Sequence, residues 1–360
     1  MSLEVLSAVP TLFAADGSVD LAANRALYVH LAGLVDGLFV AGTTGEFPAL
    51  SDDERLSLVS IALDVAGPDR VVAHVGAASA RQAARLAVAA VGLGVRRIAA
   101  ITPFYLPARP DELTRHYVLI RDAVGSAAEF YAYIFHERTG VHVPPPLFAT
   151  VAAAAGLSGA KVSGGSAGAL AEYVASAPGL RFFSGDDSNP GRSLALGCSG
   201  VVSGRSAAYP EVFATLLRAL RDGDGDAASG VSGQSGVPGQ PGLLGQEGQS
   251  GGAGPLGQSG LSGASGLPGP PGQSGVPGQS GTSALSGALG QSGASELSGQ
   301  EALDRIVALG ASIGRLKHAI MLRGFGTDAA RMTVDPPDFT TAAAIAEQVA
   351  NLPQTTPAPR

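Results

Sequence analysis

The chain has 360 residues, a formal net charge of −7 and one cysteine, Cys198. An acidic chain without a basic patch is a poor ligand for nucleic acids or anionic membranes, so we expect neither as a partner. A single cysteine excludes an internal disulfide and is typical of a reducing compartment. The first residues lack the pattern of a signal peptide, and no run of about 18 apolar residues is present, so we expect a cytoplasmic protein without a membrane span.

Short apolar runs alternate with longer amphipathic runs over residues 3–220. The apolar runs predict strands at 4–9, 37–41, 70–75, 97–101, 128–133, 157–162, 180–183 and 199–203. The amphipathic runs predict helices near 20–33, 51–66, 79–92, 110–124, 144–155, 166–177, 189–196 and 210–221. Eight strand–helix pairs favour a parallel (β/α)8 barrel, with a doubly wound open sheet as the alternative. The first strand–helix turn lacks G-x-G-x-x-G, so a dinucleotide-binding fold gains no support.

Residues 230–299 differ in composition from the rest of the chain. Glycine occupies 22 of the 24 positions taken in steps of three from Gly230, and the exceptions are Ala284 and Glu296. This Gly-X-Y pattern is typical of a collagen triple helix, yet prolines make up only about 10% of the segment, against roughly 15–20% in collagen-like chains. We therefore predict a disordered or loosely extended insertion, with a formed triple helix as the alternative.

The insertion divides the chain into four predicted segments. Residues 1–228 form the barrel with the active site, and residues 229–300 form the Gly-X-Y insertion. Amphipathic patterns predict that residues 301–351 form a C-terminal helical region, and residues 352–360 remain as a tail. All residues with candidate chemistry precede the insertion.

Polar residues cluster at the carboxyl ends of the predicted strands, where barrel enzymes hold their active sites. The segment Gly42–Glu46 follows the second strand, and Thr102–Tyr105 follows the fourth. Tyr133 ends the fifth strand, and Lys161 lies at the end of the sixth. We therefore expect these four features to meet at one mouth of the barrel.

Lys161 is one of only two lysines in the chain, the other being Lys317. An amine must be uncharged to attack a carbonyl carbon, and an apolar setting such as Ala160 and Val162 disfavours the ammonium form. The alternatives are a side chain that points outward or one that pairs with Asp186.

The turn Gly42–Glu46 carries two threonine hydroxyls and several free backbone N–H groups, an arrangement that binds carboxylates or phosphates. The alternative is a glycine-stabilised turn without a ligand. The six histidines are scattered, so no metal-ligand spacing is predicted.

Six motifs together resemble the dihydrodipicolinate synthase / N-acetylneuraminate lyase family: GTTGEFPALSDDER, TPFY, RTG, GAKVSGG, SGDD and GVVS, in this order. The resemblance covers residues 3–228 and, more loosely, 301–350. It implies a (β/α)8 barrel that assembles as a dimer or as a tetramer of tight dimers. It also implies a class I aldolase mechanism without a cofactor, in which Lys161 forms a Schiff base with pyruvate or another 2-keto acid.

The resemblance assigns roles to several further residues. Thr43 and Thr44 would bind the pyruvate carboxylate, and the backbone of Val202 would lie beside the keto group. Tyr133 would transfer protons. Tyr131, on the same strand face, is the alternative residue for that role.

Two further assignments concern the partner chain and the second substrate. Thr43 and Tyr105 would complete a proton relay, with Tyr105 reaching in from a second copy of the chain. Arg138 would bind the carboxylate of the second substrate, a task that suits a bidentate guanidinium.

The sequence departs from the family pattern beside the site. Ile134–His136 replace the usual Asn-x-Pro, and Val162 replaces an aspartate.

We expect a 4-hydroxy-tetrahydrodipicolinate synthase-like condensation of pyruvate with an aldehyde such as aspartate semialdehyde. The altered loop favours a second hypothesis, reversible cleavage of a 2-keto-3-deoxy sugar acid. A third hypothesis is a non-catalytic structural protein that uses the collagen-like insertion. Glu46, Asp186 and Lys317 are predicted to be structural.

Overall fold

A computed structural model describes residues 3–222 and 299–352. Its eight parallel strands form a closed barrel in chain order, because the first strand pairs with both the second and the eighth. The strands are β1 Glu4–Ala8, β2 Gly37–Val40, β3 Val71–His74, β4 Arg97–Ile101, β5 Glu129–Ile134, β6 Gly159–Val162, β7 Arg181–Ser184 and β8 Gly200–Ser203. The predicted barrel is confirmed, and the open-sheet alternative is wrong.

Helices connect the strands on the outside of the barrel. Those before the insertion are α1 Leu21–Ala32, α2 Asp52–Ala66, α3 Ala80–Gly92, α4 Pro110–Val124, α5 His136–Thr139, α6 Pro145–Ala155, α7 Ala167–Ser176, α8 Pro190–Ala195, α9 Arg205–Ala208 and α10 Pro210–Asp222. Those after it are α11 Gly299–Ala308, α12 Ile313–Leu322 and α13 Phe339–Ala350. The short helices α5 and α9 were not predicted, because four residues cannot show a helical period. The predicted insertion 229–300 lies outside the described residues except for Gly299 and Gln300, which belong to α11, and the predicted tail lies outside them from residue 353 onward.

Local sequence signals set several helix boundaries. The Ser51 hydroxyl accepts from the N–H of Glu54 (3.2 Å), and the Glu54 carboxylate accepts from the N–H of Ser51 (2.8 Å), which forms a capping box at the start of α2. Helix α6 ends at Gly156, which adopts the left-handed conformation that glycine tolerates best. No helix in the described ranges is long and apolar enough to cross a membrane.

Two apolar layers build the fold. The larger layer lies between the outer face of the barrel and the surrounding helices. The smaller one fills the barrel interior with Leu6, Ala8, Phe39, Phe47, Val72, Ala99, Ile101, Tyr131, Tyr133, Phe183 and Val202. At the amino-terminal end of the barrel, Arg97 and Arg181 donate to the carboxylate of Glu4 over 2.6 and 2.7 Å. The interior is therefore closed at one end, which leaves the carboxyl-terminal end for a site.

The region after the insertion packs against the barrel through a buried ion pair and its neighbouring hydrogen bonds. In α12, the Nζ atom of Lys317 donates to the carboxylate of Glu46 and to the carbonyl oxygen of Ala329 (2.7 Å). Glu46 also accepts from the backbone N–H groups of Arg331 (2.9 Å) and Met332 (2.8 Å). Burial lowers the pKa of Lys317, and the Glu46 carboxylate opposes that shift. The predicted structural roles of Glu46 and Lys317 agree with these contacts.

We propose that the Gly-X-Y segment, predicted as residues 229–300, is an insertion into an otherwise continuous helical region. It ends before Gly299, because α11 begins at that residue. Helices α10 and α11, on either side of it, pack together, and a Cβ atom added at Gly299 would lie 3.1 Å from the Cα atom of Leu216. Leu303 and Ile306 of α11 are buried in the same core as α10. A short connection therefore suffices to join the two helices.

Replacing residues 223–298 by a short Gly/Ser linker is expected to leave the thermal unfolding transition nearly unchanged, because the buried face of α11 is retained. Truncation after Asp222 is the matched control, and it should lower the transition temperature strongly, since it exposes apolar core residues and leaves Glu46 without Lys317. Circular dichroism measures both. A linker variant that unfolds as readily as the truncated chain would contradict the proposed division.

Lys317→Met is expected to lower the free energy of unfolding by about 3–5 kcal/mol, because it leaves the Glu46 carboxylate buried without its cation. The double variant Lys317→Met/Glu46→Gln removes both charges and should recover part of that loss. Urea unfolding of the single and double variants gives the two values. A loss below about 1 kcal/mol in the single variant, the range of an exposed pair, would contradict a structural role for the pair.

Candidate active site

The parallel register aligns residues of neighbouring strands at the carboxyl-terminal mouth of the barrel. Ile101 of β4 pairs with Tyr133 of β5, Tyr133 pairs with Lys161 of β6, and Lys161 pairs with Phe183 of β7. Lys161 and Tyr133 therefore point into the barrel at the same height, and both are buried. The sequence prediction that these two features meet at one mouth agrees with this register.

The amine of Lys161 lies among aromatic rings. Its Nζ atom is 4.2 Å from the ring centre of Tyr133 and 4.9 Å from that of Phe39. Within the part of the chain that the structure describes, Lys161 forms no ion pair with a carboxylate. Asp186 instead accepts from the N–H and hydroxyl of Ser188, over 3.0 and 2.7 Å, so the pairing of Lys161 with Asp186 is not formed. The side chain is thus a buried amine without a carboxylate partner among the described residues.

The hydroxyl of Tyr133 meets the hydroxyl of Thr43 at 3.1 Å. Tyr131 lies on the same strand face, but its hydroxyl donates to the carboxylate of Glu129 and accepts from Arg181 at the other end of the barrel. Burial, together with the bond to Glu129, raises the pKa of Tyr131 to about 12. Of the two tyrosines, only Tyr133 has its hydroxyl beside Thr43 and its ring against Lys161.

The turn after β2 has an unusual backbone. Ala41, which precedes the turn, and Glu46, its last residue, have φ angles of +55° and +56°. These lie in the left-handed region that few non-glycine residues adopt. Inside the turn, the N–H of Glu46 bonds to the carbonyl oxygen of Thr43 (3.0 Å). The Glu46 carboxylate points away from the turn to Lys317 and the backbone of residues 331 and 332, which fixes the turn to the C-terminal region.

A cavity of about 760 Å³ lies above this layer, and six predicted residues line it: Thr43, Thr44, Tyr133, Arg138, Lys161 and Val202. Arg138 lies in α5, and its guanidinium carbon is 5.9 Å from the ring centre of Phe135, which also lines the cavity. Tyr105 does not line the cavity of its own chain. It has a φ angle of +80° and is 91% exposed.

Several cavity residues were not found from the sequence. Asp187 pairs with Arg205, and the hydroxyl of Ser203 also donates to Asp187. Asp187 belongs to the SGDD motif and Ser203 to the GVVS motif. The motifs do not show that these residues meet, because the pairing depends on the contact between β7 and β8. One wall of the cavity comes from Met332–Pro336, more than 100 residues further along the chain.

No group of three or more His, Cys, Asp or Glu within 3–222 and 299–352 could hold a metal ion.

Two family models match the chain. The model of the dihydrodipicolinate synthetase family covers residues 1–234, and that of the collagen triple helix repeat covers residues 224–302. The second match agrees with the predicted Gly-X-Y insertion.

Curated relatives match the barrel region. An uncharacterized DapA-like lyase of Halobacterium salinarum is 35% identical over 229 residues, which are 62% of this chain and 74% of that protein. A 4-hydroxy-tetrahydrodipicolinate synthase of Kineococcus radiotolerans is 35% identical over 223 residues, or 61% of this chain and 71% of that protein.

Solved structures share the fold. Dihydrodipicolinate synthase DapA-2 from Bacillus anthracis superposes with a TM-score of 0.72 at 16% identity, covering 98% of this chain and 99% of its own. YagE from E. coli, solved in complex with pyruvate, has a TM-score of 0.71 at 23% identity, covering 97% and 98%. The chain belongs to the dihydrodipicolinate synthetase family, whose members are lyases of the class I aldolase type.

Proposed function

We propose that the protein is a pyruvate-dependent lyase or synthase that forms a Schiff base through Lys161. The observation that carries this proposal is the buried amine of Lys161, which has no carboxylate partner within the described ranges. It lies against the ring of Tyr133, whose hydroxyl contacts that of Thr43. A nucleophile and a proton carrier in one cavity are what condensation with a 2-keto acid requires. The cavity of about 760 Å³ leaves room for a second substrate beside pyruvate.

The pyruvate carboxylate would bind in the turn Gly42–Glu46. The hydroxyls of Thr43 and Thr44 line the cavity there, and a turn of this kind presents backbone N–H groups to an anion. A carboxylate in the turn places the neighbouring keto carbon toward Lys161. The backbone of Val202 in β8, which lines the same cavity, would lie beside the keto group.

The reaction begins when Lys161, in its uncharged form, attacks C2 of pyruvate and forms a C–N bond. The C2 oxygen takes up protons through the hydroxyl of Tyr133 and leaves as water. The protonated imine then withdraws electrons from the methyl C–H bond. Tyr133, which gave its proton to the departing water, accepts the methyl proton, and the imine becomes an enamine. The enamine carbon attacks the aldehyde carbon of the second substrate and forms a C–C bond, while the aldehyde oxygen takes the proton from Tyr133 and the protonated imine is restored. Hydrolysis of the imine releases the product, and the reverse sequence is cleavage to pyruvate.

The leading activity is condensation of pyruvate with aspartate semialdehyde, as in 4-hydroxy-tetrahydrodipicolinate synthases. Arg138 supports it, because a guanidinium in the cavity can bind the carboxylate of that aldehyde in a bidentate manner. The Kineococcus relative that carries the synthase name supports it as well.

Cleavage of a 2-keto-3-deoxy sugar acid is the second candidate. The altered loop favours it, because this loop departs from the family pattern at the place where the aldehyde would lie. Phe135 of that loop lines the cavity. The pair Asp187–Arg205 in the same cavity offers both a hydrogen-bond acceptor and donors, which suit a polyhydroxylated aldehyde.

A second copy of the chain would complete the proton relay, in a dimer or a tetramer of dimers. Tyr105 and Leu106 support this proposal, because they are 91% and 69% exposed on the loop after β4. In that arrangement Tyr105 would enter the cavity of the partner and approach Thr43 there.

Supplying pyruvate with aspartate semialdehyde, and separately a 2-keto-3-deoxy sugar acid alone, separates the two activities. We expect the semialdehyde to be consumed together with pyruvate, as followed by a coupled assay. Release of pyruvate from the sugar acid, with no semialdehyde consumption, would replace the first activity by the second. Turnover of neither substrate, with no exchange of the pyruvate methyl protons, would leave the non-catalytic hypothesis.

Tyr133→Phe is expected to lower the rate of methyl-proton exchange of pyruvate by about 10²–10⁴-fold, the usual contribution of a positioned acid–base group. Tyr131→Phe is the matched control on the same strand face, and its exchange rate should stay close to that of the unmodified protein. Proton NMR in deuterium oxide measures the exchange for both variants. Equal losses in both variants would contradict the assignment of Tyr133.

A further inference from the structure

His74, at the end of β3, is a buried histidine that the proposed chemistry does not use. Its Nδ1 atom lies 2.8 Å from the carbonyl oxygen of Ala41, and its Nε2 atom lies 3.2 Å from the backbone N–H of Ile101. A carbonyl oxygen can only accept and a backbone N–H can only donate. The ring is therefore neutral, with its proton on Nδ1. The Nη2 atom of Arg55 also lies 3.4 Å from Nδ1, but the shorter contact to Ala41 fixes the proton on Nδ1, so Arg55 does not donate to the ring.

Both hydrogen bonds of His74 end beside the active site. Ala41 precedes the turn Gly42–Glu46 and holds the unfavourable φ angle of +55°, so a bond to its carbonyl oxygen stabilises the conformation that begins the turn. Ile101 pairs with Tyr133 in the sheet. A Cβ atom at Gly76 would lie 2.6 Å from the nitrogen of Ile101 and 2.7 Å from Nε2 of His74, so this bond requires glycine there.

The ring of His74 also packs against the aromatic side chains under the cavity. It meets Tyr133 edge-on, with ring centres 5.9 Å apart, and Phe47 at 4.6 Å. Arg55 donates to the carbonyl oxygens of His74 (2.6 Å) and Gly76 (3.1 Å), which fixes the end of β3. Burial, with the nearby charge of Arg55, lowers the pKa of His74 well below its ordinary value, in agreement with a neutral ring.

We propose that His74 is a positioning residue that holds the carboxylate-binding turn and the Tyr133 hydroxyl in their places relative to Lys161. The inference rests on the proposed function, because it assigns pyruvate to that turn. The imidazole contacts the end of β2, the end of β4 and the ring of Tyr133. Without it, both the turn that carries Thr43 and the ring of Tyr133 lose a neighbour that holds them in place. The bond to Ala41 governs pyruvate binding, since it is the one that stabilises the turn.

The test compares the full-length protein with His74→Leu and His74→Asn. Leucine keeps much of the bulk but forms neither bond, whereas the side-chain amide of asparagine reaches the position of Nδ1 and keeps the donor to Ala41. The readout is the pyruvate concentration that half-saturates reductive trapping by borohydride, which needs no aldehyde. His116→Leu is the control, because His116 is also buried but lies on α4. Urea unfolding of every variant measures its stability.

His74→Leu is expected to raise the half-saturating pyruvate concentration by about tenfold or more, the effect of losing one or two buried hydrogen bonds. His74→Asn should restore it to within about threefold of the unmodified protein, even if its stability falls as far as that of the leucine variant. His116→Leu should leave it unchanged. A general loss of stability does not produce this pattern.

Three results overturn the inference, and they are distinguishable. If the unmodified protein is labelled and His74→Leu is half-saturated at the same pyruvate concentration, the role of His74 is wrong and the proposed function stands. The same holds if both His74 variants lose binding in proportion to their stability. If the unmodified protein forms no borohydride-stable adduct with pyruvate, the proposed function fails, and the inference falls with it.

Discussion

Closure of the parallel barrel is the constraint on which the site depends. Because β8 pairs with β1, the strand register is fixed around the whole circumference, and residues distant in sequence reach the same height. Tyr133 and Lys161, on adjacent strands, become direct neighbours in this way. A slip of one residue in either strand would turn its side chain out of the barrel, so the apolar packing that fixes the register also fixes the candidate chemistry.

A second layer of buried polar contacts holds the turn after β2 from two sides. From inside the barrel, His74 donates to the carbonyl oxygen of Ala41, which precedes the turn. Glu46, the last residue of the turn, accepts from Lys317 of the C-terminal region. The C-terminal region also supplies one wall of the cavity through Met332–Pro336. The cavity of the candidate active site is thus lined by residues on both sides of the Gly-X-Y segment, although all the candidate catalytic residues precede that segment.

Much of the fold and the central residues could be predicted from the sequence, because they depend on local patterns. Alternating runs predict strands and helices, and the position of Lys161 at a strand end follows from them. The sequence could not decide between Tyr131 and Tyr133, since both lie on one strand face. In the structure their hydroxyls lie at opposite ends of the barrel, and that of Tyr133 is at the end with Thr43. Contacts such as Glu46–Lys317 and Asp187–Arg205 join distant elements, so no local pattern could predict them.

Reductive trapping with mass mapping tests the central claim most directly, because the chain contains only two lysines. The protein is incubated with pyruvate and borohydride, digested, and searched for a modified lysine. We expect an adduct on Lys161 and none on Lys317, which is fully buried against Glu46 and serves as the internal control. Pyruvate-dependent labelling absent from Lys161, or equal on both lysines, would contradict it.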